Sequence, residues 1–162
     1  MSRYRAPQPK SSPYITREGY ETLRAESEEI WKFRREVTEA LSAAAAEGDR
    51  SENAEYIYRK KQLREIDRRI RYLQKRLPDL KIVDQVANRK QVFFTAYVEV
   101  EKSGGQREKY RIVGADEIDP NTNYISVDSP VARALLKCSV GDEVAVQIGD
   151  KQETFEVLSI DY

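Results

Sequence analysis

Apolar residues recur through the first half of the chain with the period of an α-helix. Leu23, Ile30, Val37 and Ala44 stand seven residues apart, with Tyr20 and Leu41 on the neighbouring stripe. Ser27 and Arg34 interrupt that second stripe, so the seam is imperfect. Thr16 is a good N-cap, and Ile15 and Tyr20 occupy the two positions of a hydrophobic staple. Gly48 is the natural stop, because a helix end favours a residue free to leave right-handed backbone space. Ser51 is the expected cap of a second helix. There Leu63, Ile66, Ile70, Leu73 and Leu77 alternate by three and four, an a/d seam that Pro78 ends. Ala43, Ala44, Ala45 and Ala46 are small helix formers that let a partner helix come close. Two such helices with one short turn between them predict an antiparallel hairpin. Arms of about thirty residues are on the order of 45 Å long.

After Pro78 the period changes to two and β-branched residues dominate. The expected strands are 80–83, 92–101, 108–113, 123–127, 143–148 and 154–160, with turn signals at Ser103-Gly104-Gly105 and Gly149-Asp150. A short helix interrupts them: Ser129 caps, Pro130 takes the first helical position, and 131–136 is apolar and helix-forming. Mostly antiparallel strands with one helix predict a small α+β domain. Residues 1–13 hold three prolines and no periodicity, which predicts a disordered tail. The expected division is a tail over 1–13, a coiled-coil hairpin over 14–78 with its tip near 48–53, and a second domain over 79–162.

Composition agrees. Of 162 residues 35% are charged, and the mean hydropathy of −0.74 suits an extended hairpin beside a small core better than one large core. A single cysteine, Cys138, leaves no internal disulfide framework and suits a reducing compartment; it is expected as a small core residue. The absence of histidine removes Ser-His and Cys-His catalysis and most zinc sites. No apolar run reaches membrane-span length, so a cytoplasmic protein without membrane attachment is expected. The formal net charge of zero hides a segregation. Between residues 50 and 76 ten basic residues face four acidic ones, whereas both flanking segments are acidic. Such a field suits a polyanion or an acidic protein surface, or else pairing with the acidic first helix.

The candidate chemistry sits in Gly48-Asp49-Arg50-Ser51-Glu52-Asn53-Ala54-Glu55-Tyr56, where one helix stops and the next begins. Asp49 and Glu52 place two carboxylates at the turn. Mg²⁺ takes oxygen ligands, usually one or two protein carboxylates plus substrate oxygens and water. Two acids are too few for a self-contained site, but suit a donor that completes a site on another molecule. They also suit capping of the second helix and its dipole. Asn53 is a further ligand or a positioner, and Glu55 an outer acid. Of Tyr56 and Tyr58, one is expected to pack and the other to be exposed, where it can stack on a base. Arg59, Lys60, Lys61, Arg64, Arg68, Arg69 and Arg71 form the basic run, and 61, 64, 68 and 71 share one helix face. That stripe either tracks the phosphates of a single strand or pairs with acids such as Glu36 and Glu39.

These residues resemble a known family. The tip motif is similar to that of the GreA/GreB transcript cleavage factors of bacterial RNA polymerase. Asp128-Ser129-Pro130-Val131-Ala132-Arg133-Ala134-Leu135-Leu136, with Val140-Gly141-Asp142, resembles their C-terminal signature, and Ile15-Thr16-Arg17-Glu18-Gly19-Tyr20 matches their opening. The run from Tyr58 to Leu73 resembles the GreB branch. The resemblance implies a coiled-coil hairpin followed by an FKBP-like domain that docks at the rim of the polymerase secondary channel. It implies that Asp49 and Glu52 help hold a Mg²⁺ shared with the polymerase, where backtracked RNA is cleaved. It implies that Asp128, Ser129 and Pro130 form the docking loop. Arg59, Lys60, Lys61, Arg64 and Arg68 would contact the 3′ segment of the nascent RNA. The expected factor is a monomer that stimulates the polymerase and is not itself an enzyme. The rival within the family is a channel-binding inhibitor without cleavage activity. Rivals outside it are a prolyl isomerase or peptide-binding module, for which the sequence offers no aromatic-lined pocket, and an adaptor without chemistry.

Overall fold

The computed structural model describes residues 6–48 and 53–162 and has an α+β fold. Its contacts divide into two units. One is the helical segment Tyr20–Leu80; the other joins Lys81–Tyr162 to the residues up to Gly19.

The helical unit is built on α1 (Arg17–Ala45, whose first three residues belong to the other unit) and α2 (Ala54–Arg76). The seam residues Leu23, Val37, Ala44, Ile66, Ile70 and Leu73 are all buried. Val37, Ile66 and Ile70 pack together, with Ile30 and Leu63 against them. Burying such side chains contributes about 1.5–3 kcal/mol each. Polar contacts fix the register: Glu26 meets Arg69 with two hydrogen bonds of 2.6 and 2.9 Å, and Arg34 meets Asp67 at 2.7 Å. Near the turn Ala44 meets Asn53. The partner's number falls as the first rises, so the arms run antiparallel. The second arm has 23 residues, shorter than expected from the sequence. After Arg76 the chain tightens into a 3₁₀ turn, Leu77–Asp79, because Pro78 has no N–H to continue the helix.

The second unit holds a five-stranded sheet in the order β5-β4-β3-β7-β6. The strands are β3 (Tyr97–Lys102), β4 (Arg107–Val113), β5 (Tyr124–Ser126), β6 (Glu143–Ile148) and β7 (Lys151–Asp161). All neighbours are antiparallel except β4 and β5. The short helix α3 (Pro130–Leu135) packs Ala132 and Leu135 onto the sheet core with Val98, Val100, Phe155 and Val157. Cys138 is partly buried beside that core; its Sγ donates to the Ala134 carbonyl, and burial pushes its thiol up.

Three expectations need correction. The strand expected over 92–101 begins at Tyr97. Val92, Phe94 and Ala96 alternate inward as a strand would, but Thr95 has φ +77°, which a β-branched residue adopts only at a break. The strand expected over 80–83 forms as β2 (Lys81–Ile82), but its parallel partner β1 (Tyr14–Ile15) has no counterpart in the expected strands. Two residues carry no visible period. The tail expected to be disordered through Pro13 is anchored before that point. Ser12 bonds to Asp128, and the Pro13 carbonyl accepts the Lys81 N–H at 2.7 Å.

Within the sheet unit, one carboxylate gathers the residues that lead into α1. Gly19 N–H donates to Thr16 Oγ1 at 3.0 Å, as expected of the cap. Glu117 accepts from Thr16 N–H (3.1 Å), from the Thr16 hydroxyl, and from Gly114 N–H (2.8 Å). A Cβ on Gly114 would lie 2.1 Å from the Tyr14 carbonyl oxygen, so this crossing admits glycine alone.

Candidate functional site

Asp49 and Glu52 lie outside the described residues, and so do Arg50 and Ser51. Both flanks of the acidic turn are described, and each is pinned. On the first, Ala46 and Glu47 N–H close the end of α1 onto the Ala43 and Ala44 carbonyls at 3.2 Å. Gly48 then leaves with φ +145°, a conformation that side chains disfavour. On the second flank the cap of α2 is Asn53, two residues beyond the expected Ser51. Its Oδ1 accepts the Tyr56 N–H at 3.1 Å, and its Nδ2 donates to the Ala44 carbonyl at 2.6 Å. One side chain therefore caps the second helix and ties it to the first. Serine could cap but is too short to bridge, which is why asparagine holds this place. Asn53 is a positioner, since both ends of its amide are engaged.

Glu55 pairs with Arg59 at 2.8 Å, one helical turn along. Arg59 also donates to Gln62 at 3.1 Å, so it is turned along the helix and away from the stripe expected of it. Tyr56 is half-buried and Tyr58 is 57% exposed, which assigns packing to the first and exposure to the second, whose ring carries the Arg59 guanidinium 5.5 Å from its centre. Lys60 lies over the Tyr56 ring, 5.8 Å from its centre. Lys61, Arg64 and Arg68 are exposed on one face, and Arg71 and Lys75 continue it. Among the described residues none of these three pairs with Glu36, Glu39 or any other acid. The cross-arm ion pairs use Arg34 and Arg69 instead. From Lys61 to Lys75 the stripe runs for about 21 Å.

Among the described residues no three Asp, Glu, Cys or His side chains stand together as a metal site. The donor set of the acidic turn is two hard carboxylates, which fits part of the oxygen shell of a hard divalent cation.

In the sheet unit, Asp128, Ser129 and Pro130 join β5 to α3. Ser129 Oγ caps α3 by accepting the Ala132 N–H at 3.2 Å, and Pro130 is exposed at the first helical position. Asp128 is half-buried. Its N–H donates to Ser126 Oγ at 3.1 Å, and its carboxylate is met by Ser12. Beside this loop lies an apolar pocket of about 410 Å³, lined by Tyr14, Val83, Phe93, Phe94, Val127 and Leu136 among others. Sequence reasoning missed it, because Tyr14 lies far along the chain from the adjacent pair Phe93 and Phe94. It also missed Glu117, whose carboxylate folds back on the Gly114 N–H; glycine lacks the side chain by which a capping box is read from sequence.

Comparison with known proteins gives two family matches. Residues 13–82 match the model of the transcription elongation factor N-terminal domain, and residues 87–162 match "Transcription elongation factor, GreA/GreB, C-term". Among curated proteins the chain is 56% identical to transcription elongation factor GreB of Xanthomonas axonopodis pv. citri, covering 100% of this chain and 98% of that protein. It is 51% identical to GreB of Pseudomonas aeruginosa, again over 100% and 98%. Among solved structures, Gfh1 of Thermus aquaticus is 25% identical over 93% of this chain and 99% of that one, with a TM-score of 0.43.

Proposed function

The chain belongs to the GreA/GreB family of transcription elongation factors, and from that premise we propose that it stimulates cleavage of backtracked RNA within RNA polymerase. In this reading the helical hairpin enters the polymerase secondary channel, and Asp128, Ser129 and Pro130 dock at the channel rim. The observation that carries the reading is the exposed stripe of Lys61, Arg64 and Arg68, free of acidic partners among the described residues, on the arm that leads to the acidic turn. A long cationic face left unneutralised suits a polyanionic strand.

Asp49 and Glu52 are the residues that would hold a Mg²⁺ shared with the polymerase. When bound, such an ion lowers the pKa of a coordinated water and neutralises charge on phosphate oxygens. The chain's own contribution is placement. Asn53 caps the second helix and ties it to the first, which sets where the chain re-enters the hairpin just after the acidic turn. The stripe holds the extruded RNA 3′ segment by its phosphates, and the exposed Tyr58 ring, with Arg59 over it, stands beside that path. Two carboxylates alone are weak ligands, so the acids act only inside the partner's active site.

The test is direct. Wild-type chain added to stalled, backtracked elongation complexes should shorten the transcript from its 3′ end and restore extension. Binding without shortening would favour the channel-binding inhibitor of the same family.

A second reading rests on the apolar pocket, whose Tyr14, Phe93 and Phe94 could receive a proline or another apolar side chain. A proline isomerisation assay on a short peptide decides it: turnover supports an isomerase, and no turnover leaves the pocket without that role.

A further inference from the structure

The docking loop is not held by its own neighbours alone. Ser12, 116 residues away in the chain, contacts both oxygens of the Asp128 carboxylate. Its backbone N–H donates to Oδ2 at 2.8 Å, and its hydroxyl donates to Oδ1. Both sides of this clasp are anchored. Pro13, the next residue, accepts the Lys81 N–H at 2.7 Å, and Tyr14 and Ile15 pair in register with Lys81 and Ile82. On the other side Val127 N–H donates to the Val113 carbonyl at 2.8 Å, and Asp128 N–H donates to Ser126 Oγ. Ser129 N–H donates to the Ser126 carbonyl at 2.9 Å while its hydroxyl caps α3. Backbone hydrogen bonds thus anchor the chain on each side of the Ser12–Asp128 contact.

Resting on the docking role proposed above, we infer that Ser12 is a positioning residue for polymerase binding: it locks the Asp128 carboxylate in the orientation that the partner meets. A carboxylate on a surface loop otherwise samples several rotamers, and binding would have to freeze one of them. Two donors from one anchored residue fix the torsions in advance, and hydrogen bonds to a charged acceptor are the strong kind. The N-terminal segment, which carries no period and no chemistry of its own, thereby acquires a role. It completes the docking surface from the far end of the sequence.

The experiment measures binding of the full chain to RNA polymerase and cleavage rate against factor concentration. Ser12→Ala keeps the N–H and removes the hydroxyl; Ser12→Thr keeps both donors. Asp128→Asn tests the docking role itself. The inference expects Ser12→Ala to raise the half-saturating concentration about three- to tenfold, the range for freeing one side chain and losing one donor. It expects an unchanged rate at saturation and recovery in Ser12→Thr. In the Asp128→Asn background, Ser12→Ala should add less than twofold. If Asp128→Asn weakens binding but Ser12→Ala does not, the clasp inference fails and the docking role stands. Tighter binding by Ser12→Ala would overturn it too, since Ser12 would then be competing with the polymerase for Asp128. If Asp128→Asn binds as wild type, the docking role itself fails.

Discussion

Replacing Asn53 by alanine removes two contacts at once. The cap on the Tyr56 N–H is worth about 1 kcal/mol, within a range of about 0.5–2. The bridge to the Ala44 carbonyl is worth about 0.5–1.5 kcal/mol net. The Ala44 carbonyl keeps its bond from the Glu47 N–H, so the loss is that of the bridge between the arms rather than of an orphaned acceptor. The expected cost to the helical unit is about 1–3.5 kcal/mol. Asn53→Ser separates the contacts, because serine caps as well as asparagine but cannot reach Ala44; it should lose only about 0.5–1.5 kcal/mol. Asn53→Asp keeps the cap acceptor but turns a carboxylate oxygen towards the Ala44 carbonyl, so it should be no better than alanine. Urea unfolding followed by helical circular dichroism gives the global cost, and hydrogen exchange at Tyr56 and Ile57 gives the local one. Cleavage activity should fall in the order wild type, serine, alanine, because the acidic turn loses its second anchor. A cost below about 0.5 kcal/mol for Asn53→Ala, the scatter of an ordinary surface change, would refute the clamp. So would serine and alanine variants of equal stability.

Three further outcomes are expected. Reversing Lys61, Arg64 and Arg68 to glutamate should slow cleavage of long backtracked RNA more than short, and raising salt should mimic it in wild type; equal effects on both substrates would make the stripe a mere solvated face. Gly114→Ala forces a methyl against the Tyr14 carbonyl and should cost about 1–3 kcal/mol, read as a lower melting temperature; an unchanged value would mean the crossing is looser than described. Tyr110 is raised to about 12, by burial first and then by its hydrogen bond to Glu108. Because its folded pKa lies above the ordinary 10, the stability it contributes is intact below pH 10 and is lost as pH rises from 10 towards 12; Tyr110→Phe should flatten that alkaline limb in a denaturation series.

Much of the fold is legible where one residue sets local geometry. Thr16 and Ser129 cap the helices as their chemistry predicts, and the seam from Leu23 to Leu73 is buried except at Ile30, Leu41 and Leu63, which are partly so. What fails to show is long-range. The pairing of Tyr14 and Ile15 with Lys81 and Ile82 has two residues on each side and no period to detect. The early end of the 92–101 strand pattern comes from one backbone angle at Thr95, whose neighbours still alternate inward. The choice of Asn53 over Ser51 as cap turned on reach to Ala44, which exists only once the arms are paired. The same limit applies to the candidate site. The stripe is visible in the spacing of 61, 64 and 68, but the removal of Arg59 and Arg69 into ion pairs is not. Ser12 lies in a segment that reads as disordered tail, and Glu117 in a turn that reads as surface.

The central claim is that the turn acids act only inside the polymerase. Asp49→Asn and Glu52→Gln keep shape and remove charge, and each should be added at saturating concentration to backtracked complexes, with binding measured in parallel. The account predicts at least a tenfold loss of transcript shortening for either variant with unchanged polymerase affinity, the order expected when a group acting on the reaction is lost. Full cleavage activity in both variants would contradict it.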